Sequence, residues 1–160
     1  GTRTYRPLNS INRDAMAAFM YRFAGSPNFT PPAQSPFTDL TPNDQFYKEI
    51  TWLNAMGYST GWVEADGSRT FRPVTPINRD AMAAFMYRYA GSPQVPSGTN
   101  RFTDVTPTST EFYDEIMWLA NSGISTGWPE ANGTYSFRPG QPVARDAMAA
   151  FIYRLNDTLG

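Results

Sequence analysis

The sequence predicts an all-α fold made of tandem repeats of about 66 residues that are joined by long loops. Residues 11–22 and 77–88 both read INRDAMAAFMYR, and residues 143–154 read VARDAMAAFIYR. A second block, PFTDLTPNDQFYKEITWLNAMGYSTGW at 36–62, returns with one inserted residue at 101–128. A period of this length is typical of repeat proteins, in which neighbouring units bury a shared core.

The two blocks alternate along the chain. We name the FTD…STGW block the front half, and the FRP…RDAMAAF block the back half. Their order is back, front, back, front, back, so residue 1 falls within a repeat and the first repeat lacks its front half. The predicted organisation is a back half of repeat one at 1–27, a linker at 28–36, repeat two at 37–93, a linker at 94–101 and repeat three at 102–160.

The back half is predicted to be a buried helix. Asn12 and Asn78 take the N-cap position, and an Asp in the first turn suits the positive end of the helix dipole. Gly25 and Gly91 are expected to end the helices. Ala144 stands at the third cap, where we expect a start weaker by about 1 kcal/mol. In the second copy, the apolar residues follow the i, i+3, i+4, i+7 spacing of one face: Met82, Phe85, Met86 and Tyr89.

The front half is predicted to contain a second, shorter helix. Phe112, Ile116 and Leu119 lie on one face of it, and Gly57 and Gly123 are expected to end the two copies. The stretch from STGW to FRP is rich in Gly, Asn and Asp and is expected to be irregular, with a short β-like pairing as the alternative. The fold therefore has five main helices.

Composition removes several classes of function. The formal net charge is −1, and the chain contains neither His nor Cys. These features argue against a broad basic surface for nucleic acid, against disulfides and against Cys/His metal sites. No apolar run approaches the roughly 20 residues that cross a bilayer. We therefore expect no metal, no cofactor, no nucleic-acid partner and no membrane insertion, and we expect any export signal to lie upstream of residue 1.

The recurring motifs F-T-D-[LV], G-[YI]-S-T-G-W, F-R-P and [IV]-x-R-D-A-M-A resemble the S-layer homology (SLH) domain, in the form found in secreted actinobacterial proteins. The resemblance implies a pseudo-threefold helical bundle in the C-terminal region of a secreted protein at the cell wall or cell surface. It also implies a noncatalytic anchoring module that binds a cell-wall polysaccharide or a peptidoglycan-associated glycan in grooves between repeats.

The resemblance also implies the binding residues. In the family, a T-R-A-E-like motif at a helix start supplies a cation, and a Gly-containing loop adds contacts. The Glu of that motif is Ala in all three copies here, and the carboxylate stands one position earlier, directly after the Arg. Carried over to this sequence, the cations are Arg13, Arg79 and Arg145, and the loop residues are Gly61 with Trp62 and Gly127 with Trp128. The carboxylates beside the cations, which the family motif does not have at this position, are added to the ligand-binding set for their chemistry: Asp14, Asp80 and Asp146.

These residue types suit an anionic glycan. An Arg in a first turn, beside free backbone N–H groups, forms an anion site, and its guanidinium can hold a carboxylate by two parallel hydrogen bonds. The neighbouring Asp can orient the Arg or accept hydrogen bonds from sugar hydroxyls, and an indole offers a flat face to a sugar ring. The structural alternative is that the Arg-Asp pairs join adjacent units and that the loop Trp residues close the end of the bundle.

Other recurring residues are given structural roles. Trp52 and Trp118 sit among apolar residues and are expected in the core. The carboxylates of the two FTD motifs are expected to cap the turn that opens the front half. The Arg of each FRP motif is expected to approach the next helix in an extended conformation, because a Pro follows it, and to form a structural ion pair.

Two further hypotheses compete with anchoring. One is a glycan hydrolase that uses a carboxylate pair, such as Glu64 with Asp66 or Glu130 with Asp80. The other is a structural or self-associating module appended to a secreted enzyme. Because three back-half helices have only two front-half helices to cover them, we expect an apolar gap beside residues 15–24. A homo-oligomer, or an upstream domain of the same polypeptide, would cover it.

Overall fold

The computed structural model describes residues 4–160, and within them it contains five helices and two small antiparallel sheets. The chain separates into two compact units, which we name the 11–77 unit and the 78–160 unit; residues 4–10 belong to the latter. The elements are α1 Arg13–Phe23, α2 Tyr47–Ala55, β1 Trp62–Val63, β2 Arg69–Thr70, α3 Arg79–Tyr89, α4 Tyr113–Asn121, β3 Trp128–Pro129, β4 Tyr135–Ser136 and α5 Arg145–Leu159.

The all-α prediction is wrong. Helices make up 35% of the chain, and each stretch between STGW and FRP forms a two-stranded hairpin, so that the fold is mixed α and β. In the first hairpin Trp62 pairs with Thr70, and in the second Trp128 pairs with Ser136. The reason is turn chemistry: an Asp-Gly or an Asn-Gly dipeptide stands at each bend, and its Gly has a positive φ of 82° or 80°.

The first two back-half helices pack against the front-half helices that follow them in sequence, α1 on α2 and α3 on α4. The four helices contribute fully buried core residues, and the indoles of Trp52 and Trp118 are buried against Tyr21 and Tyr87 in edge-on contacts. This confirms the core role of the two Trp residues. Because α2 covers α1, the gap expected beside residues 15–24 does not lie there.

The helix ends agree with the sequence, whereas the helix starts do not. Each of the four predicted glycines directly follows a C-cap residue and itself has a positive φ: Gly25, Gly57, Gly91 and Gly123. At the starts, within residues 4–160, the side chains of Asn12 and Asn78 form no capping hydrogen bond, so they do no more than Ala144 does at the third start. The weaker third start expected from Ala144 therefore has no structural basis.

A backbone turn after each FRP motif holds the helix starts instead. We name residues 6–9, 72–75 and 138–141 the Arg-Pro turns; in each, the first residue is an Arg with positive φ between 47° and 58°, which is left-handed rather than extended as expected. Each turn accepts hydrogen bonds of 3.0 or 3.1 Å from the first two N–H groups of one helix: Pro73 and Thr75 from α1, Pro139 and Gln141 from α3, and Pro7 and Asn9 from α5.

The two FTD aspartates accept hydrogen bonds from the backbone where two of the Arg-Pro turns begin. The Asp39 carboxylate accepts the N–H groups of Phe71 and Arg72, at 2.8 and 2.7 Å. Asp104 accepts the equivalent N–H groups of Phe137 and Arg138 at the same distances. The predicted role of these carboxylates as caps of the front-half turn is therefore wrong.

Candidate functional site

Arg13 and Arg79 start α1 and α3 and are buried, at 4% and 3% exposure. In each, Nε donates a hydrogen bond to a carbonyl from the end of the hairpin, that of Phe71 at 2.9 Å or of Phe137 at 2.7 Å. Burial, together with repulsion from a second Arg nearby, lowers the pKa of both guanidinium groups to about 10. Both therefore remain cations at neutral pH.

An indole covers each of these cations. The guanidinium carbon of Arg13 lies 4.1 Å from the ring centroid of Trp62, and that of Arg79 lies 4.1 Å from the ring centroid of Trp128. Each ring also has a second guanidinium beside it, that of Arg72 at 4.3 Å or of Arg138 at 4.6 Å. We name these groups the Arg13–Trp62 cluster and the Arg79–Trp128 cluster. Cation–π attraction in such desolvated surroundings is worth up to about 2 kcal/mol.

Gly61 and Gly127 bring the indoles into position. Their φ angles are +68° and +72°. A Cβ at Gly61 would lie 2.5 Å from the Thr70 carbonyl oxygen and 2.6 Å from the Phe37 ring, and Gly127 is equally confined. Close packing therefore accounts for these glycines, which place the following Trp over the Arg.

The outer Arg of each cluster forms an ion pair, as the sequence predicted for the FRP motif. Arg72 contacts Glu64 at 3.0 Å, and Arg138 contacts Glu130 at 3.2 Å. Each glutamate also accepts a hydroxyl hydrogen bond, from Thr70 or from Ser136. These hydrogen bonds and the Arg charge lower the pKa of both glutamates.

The first-turn aspartates bind their own helices. Asp14, Asp80 and Asp146 accept the N–H of the following Ala at 2.6, 2.6 and 2.7 Å. Burial raises the pKa of Asp14 and of Asp80. Together with the Arg-Pro turns, these carboxylates use the first three N–H groups of each helix, so the free backbone donors that we expected at the helix starts are already occupied.

In the 78–160 unit a cavity of about 680 Å³ opens beside the Arg79–Trp128 cluster. It brings together three of the predicted binding residues, Arg79, Trp128 and Asp146. Sequence reasoning missed Gln141, the last residue of an Arg-Pro turn; the turn that follows FRP was the available signal. The remaining walls are Leu8, Ser10, Pro142, Val143, Ala144, Ala147 and Ala150.

The third predicted cation, Arg145, has a different environment. Its guanidinium carbon lies 5.3 Å from the ring centroid of Tyr5, and its buried Nε has no hydrogen-bond partner among residues 4–160. The Tyr5 hydroxyl donates to the Arg145 carbonyl oxygen at 3.1 Å. Within the described residues, Arg145 thus lacks the indole and the carbonyl acceptor that serve the other two cations.

The part of the chain that the structure describes contains no cluster of three His, Cys, Asp or Glu side chains able to hold a metal ion. None of the helices in residues 4–160 combines the length and apolar character needed to cross a membrane.

Comparison with known families identifies the repeat. The family model for the S-layer homology domain matches residues 36–83 and 101–149, in each case a front half followed by the start of the next α1-type helix. A search of the curated proteins finds no match to the chain. S-layer homology domains are generally noncatalytic modules of cell-wall-associated proteins, which they anchor to the cell surface by binding cell-wall polymers. Because the two matches cover more than half of the 160 residues, the chain belongs to the S-layer homology domain family.

Proposed function

We propose that the cavity beside the Arg79–Trp128 cluster binds a cell-wall glycan that carries a carboxylate, and that this contact anchors a secreted polypeptide noncovalently at the cell wall. The observation that carries the proposal is a buried, stacked guanidinium in the wall of an open cavity of about 680 Å³. Cavities of this size take ligands as large as a short oligosaccharide. The cargo would be an upstream domain of the same polypeptide.

Charge favours an anion in this cavity. Nε of Arg79 donates a hydrogen bond to the Phe137 carbonyl oxygen. The two terminal nitrogens of Arg79 take part in no hydrogen bond described within residues 4–160. A carboxylate can accept two parallel hydrogen bonds from these nitrogens. Arg138, the second cation on Trp128, is also close to the site, although its ion pair with Glu130 at 3.2 Å offsets much of its charge. Asp104, the nearby anion, is held by two backbone N–H groups.

The other walls suit the rest of a sugar. Gln141 and the exposed Asp146 offer polar atoms for hydroxyl groups, and the small side chains of the α5 alanines form an apolar part of the wall. Among the lining residues within 4–160, Asp146 is the single carboxylate. Glycoside hydrolysis ordinarily requires two carboxylates at a fixed separation, so the cavity supports binding rather than cleavage.

Repetition supports anchoring to a polymer. The 11–77 unit contains the equivalent Arg13–Trp62 cluster, with the same distance of 4.1 Å between guanidinium carbon and ring centroid. Several weak contacts along one polymer give a much higher retention than each contact gives alone. We propose that Arg13, Asp14, Gly61 and Trp62 form a second glycan contact of the same kind.

Co-sedimentation with purified cell walls tests the proposal through Arg79→Lys. Lysine keeps the charge but cannot make two parallel hydrogen bonds, so retention is expected to fall about tenfold, the effect of one lost charge-assisted hydrogen bond. The matched control is Arg22→Lys, on the exposed surface of α1, which is expected to bind like the parent protein. Equal retention of Arg79→Lys, at an unchanged melting temperature, would refute the proposal.

The same assay identifies the class of polymer. Walls from which the accessory polysaccharide has been extracted are expected to retain none of the protein if the carboxylate belongs to that polysaccharide. Retention on extracted walls would assign the ligand to the peptidoglycan glycan. Gln141→Ala is expected to weaken binding severalfold, with Arg22→Lys again as the control that binds like the parent protein.

A further inference from the structure

A second cavity, of about 410 Å³, lies in the 11–77 unit, between α2 and the linker 28–36. The end of α2 contributes Asn54 and Ala55 to its wall, and the linker contributes Phe29, Pro32 and Gln34. We name it the Asn54 cavity. Within residues 4–160, none of the side chains that line it is charged. A cavity of this volume can hold a ligand about as large as one sugar ring, and its walls favour an uncharged one.

Arg69 determines how the Asn54 carboxamide is oriented. Nη2 of Arg69 donates a hydrogen bond to Oδ1 of Asn54 at 3.0 Å. Because a guanidinium has donors and no acceptor, the atom that faces it must be the amide oxygen. Nδ2 of Asn54 takes part in no hydrogen bond described within residues 4–160. Asn54 therefore offers the cavity an N–H donor, which is suited to a carbonyl oxygen.

Two tyrosines hold the linker wall of this cavity in place. The Tyr47 hydroxyl donates a hydrogen bond to the Pro32 carbonyl oxygen at 2.8 Å, and the Tyr21 hydroxyl donates to the carbonyl oxygen of Pro27, just ahead of the linker. The prolines of this segment restrict its backbone further, because the ring fixes φ. A wall that is already ordered lowers the entropy cost of binding a ligand.

The 78–160 unit shows which chemical group fits between such a linker and its helix. Asn121, on the last turn of α4, stands at the position that Ala55 takes in α2. Its carboxamide lies against Gly98 of the second linker, where a Cβ would be 3.0 Å from Nδ2 and 3.1 Å from Oδ1. One unit thus places an amide of its own at this position. The other unit has the small Ala55 there, in the wall of a cavity.

We propose that the Asn54 cavity binds the acetamido group of an uncharged, N-acetylated amino sugar in a cell-wall polymer. Nδ2 of Asn54 donates a hydrogen bond to the acetamido carbonyl oxygen, the methyl group lies against Ala55 and Pro32, and Phe29 contacts the sugar ring. This inference rests on the proposed function, to which it adds a contact of a second kind. It involves no carboxylate and no residue of the cavity beside the Arg79–Trp128 cluster.

Isothermal titration calorimetry of the whole chain with triacetylchitotriose tests the proposal. Cellotriose is the matched probe, because it has the same uncharged backbone and linkage with hydroxyl groups in place of the acetamido groups. The chain is expected to bind the acetylated sugar about tenfold more tightly, the effect of one amide hydrogen bond with its buried methyl group. Equal binding of the two sugars, or binding of neither, would overturn the proposal. Equally tight binding of N-acetylalanine methylamide would also overturn it, because a peptide amide would then be sufficient.

Substitutions in the cavity locate the bound sugar. Asn54→Asp keeps an oxygen for Arg69 and removes the N–H donor, so the affinity for triacetylchitotriose is expected to fall about tenfold. The matched control is Asn121→Asp on α4, which is expected to bind like the parent protein. Ala55→Asn introduces the amide that the 78–160 unit has at this position, and it is expected to block the cavity while the protein stays folded. Unchanged affinity of either Asn54→Asp or Ala55→Asn would refute the assignment.

The two cavities are tested separately. Triacetylchitotriose carries no carboxylate, so its titration measures the Asn54 cavity whether or not Arg79 binds a wall glycan. Loss of wall retention in Arg79→Lys, together with no binding of triacetylchitotriose by the parent chain, would overturn the present inference alone. Binding of this sugar with equal wall retention of Arg79→Lys would instead overturn the carboxylate proposal and support the Asn54 cavity.

Discussion

At the residue scale, the repeated Arg-Asp pair consists of two side chains with separate tasks. Arg79 lies beside Trp128 and Phe137, where its Nε binds a carbonyl and its charge lines the cavity. Asp80 turns back to its own helix and accepts the Ala81 N–H. The identity and the recurrence of these residues could be read from the sequence. The partner of Arg79 could not, because the Phe137 carbonyl becomes its neighbour only when the chain has folded.

The aspartate of this pair leads to a pH prediction. Burial raises the pKa of Asp80 above its ordinary 3.8, so the folded protein holds the proton more tightly than the unfolded chain does. Stability is therefore lost as pH rises from 3.8 through the folded pKa. Asp80→Asn keeps an oxygen for the Ala81 N–H without the partly buried charge. Its melting temperature is expected to exceed that of the parent at neutral pH.

Well below pH 3.8 the two proteins are expected to melt alike, because Asp80 is then protonated in both states. Asp66→Asn is the control of opposite sign: hydrogen bonds from Ser68 lower the pKa of Asp66, so this substitution should not stabilise the protein at neutral pH. A lower melting temperature for Asp80→Asn than for the parent at neutral pH would contradict the destabilising effect assigned to the partly buried Asp80 charge.

At the element scale, the sequence predicted the helices directly, whereas it offered the hairpins only as the alternative to an irregular stretch. The spacing of Met82, Phe85 and Met86 is sufficient to define a buried helix. A strand of two residues carries too little pattern to be recognised, and these strands depend on the Asp-Gly and Asn-Gly turns and on packing against Phe37 or Phe102. The N-cap prediction failed because the Arg-Pro turns supply the acceptors from the backbone, which leaves the cap residue free to vary.

The first hairpin offers a matched pair of glycine substitutions. Gly61→Ala forces a Cβ to within 2.6 Å of the Phe37 ring at a φ of +68°, so we expect a loss of about 3 kcal/mol in unfolding free energy. Gly67→Ala, with a φ of +82° and nothing within 4 Å, should cost only about 1 kcal/mol. Urea denaturation measures both. Equal losses would show that close packing does not confine Gly61.

At the scale of the whole molecule, the halves that form a repeat in the sequence are not the halves whose helices pack together. The predicted domain boundaries group a front half with the back half that follows it, whereas the helix pairs join a back half to the front half that follows. The repeat length shows that units exist, but it does not show which helix packs on which. For this reason an exposed apolar surface was expected beside α1, whereas within residues 4–160 Tyr21 of α1 is buried and the equivalent Tyr153 of α5 is 72% exposed. The division at 28–36 and 94–101 stays a prediction.

Residues 4–10 belong to the 78–160 unit although they lie at the opposite end of the chain. Deletion of residues 1–10 removes the acceptors of the Arg145 and Asp146 N–H groups and the Tyr5 contact. We expect it to lower the unfolding free energy by about 2 kcal/mol. Hydrogen exchange should accelerate at residues 145–148, while exchange in α1, whose turn is intact, provides the internal control. Unchanged exchange at 145–148 would contradict a supporting role for this segment.

The Arg-Pro turns also determine the order in which the helix starts can gain their hydrogen bonds during synthesis of the chain. The first N–H groups of α1 and α3 each bind a turn that is synthesised later, so neither helix start can complete its hydrogen bonds until the next repeat has left the ribosome. The last helix, α5, rests instead on a turn that is synthesised earlier, because residues 6–9 precede it in the chain. Completion of α5 is thus the step that closes the 78–160 unit.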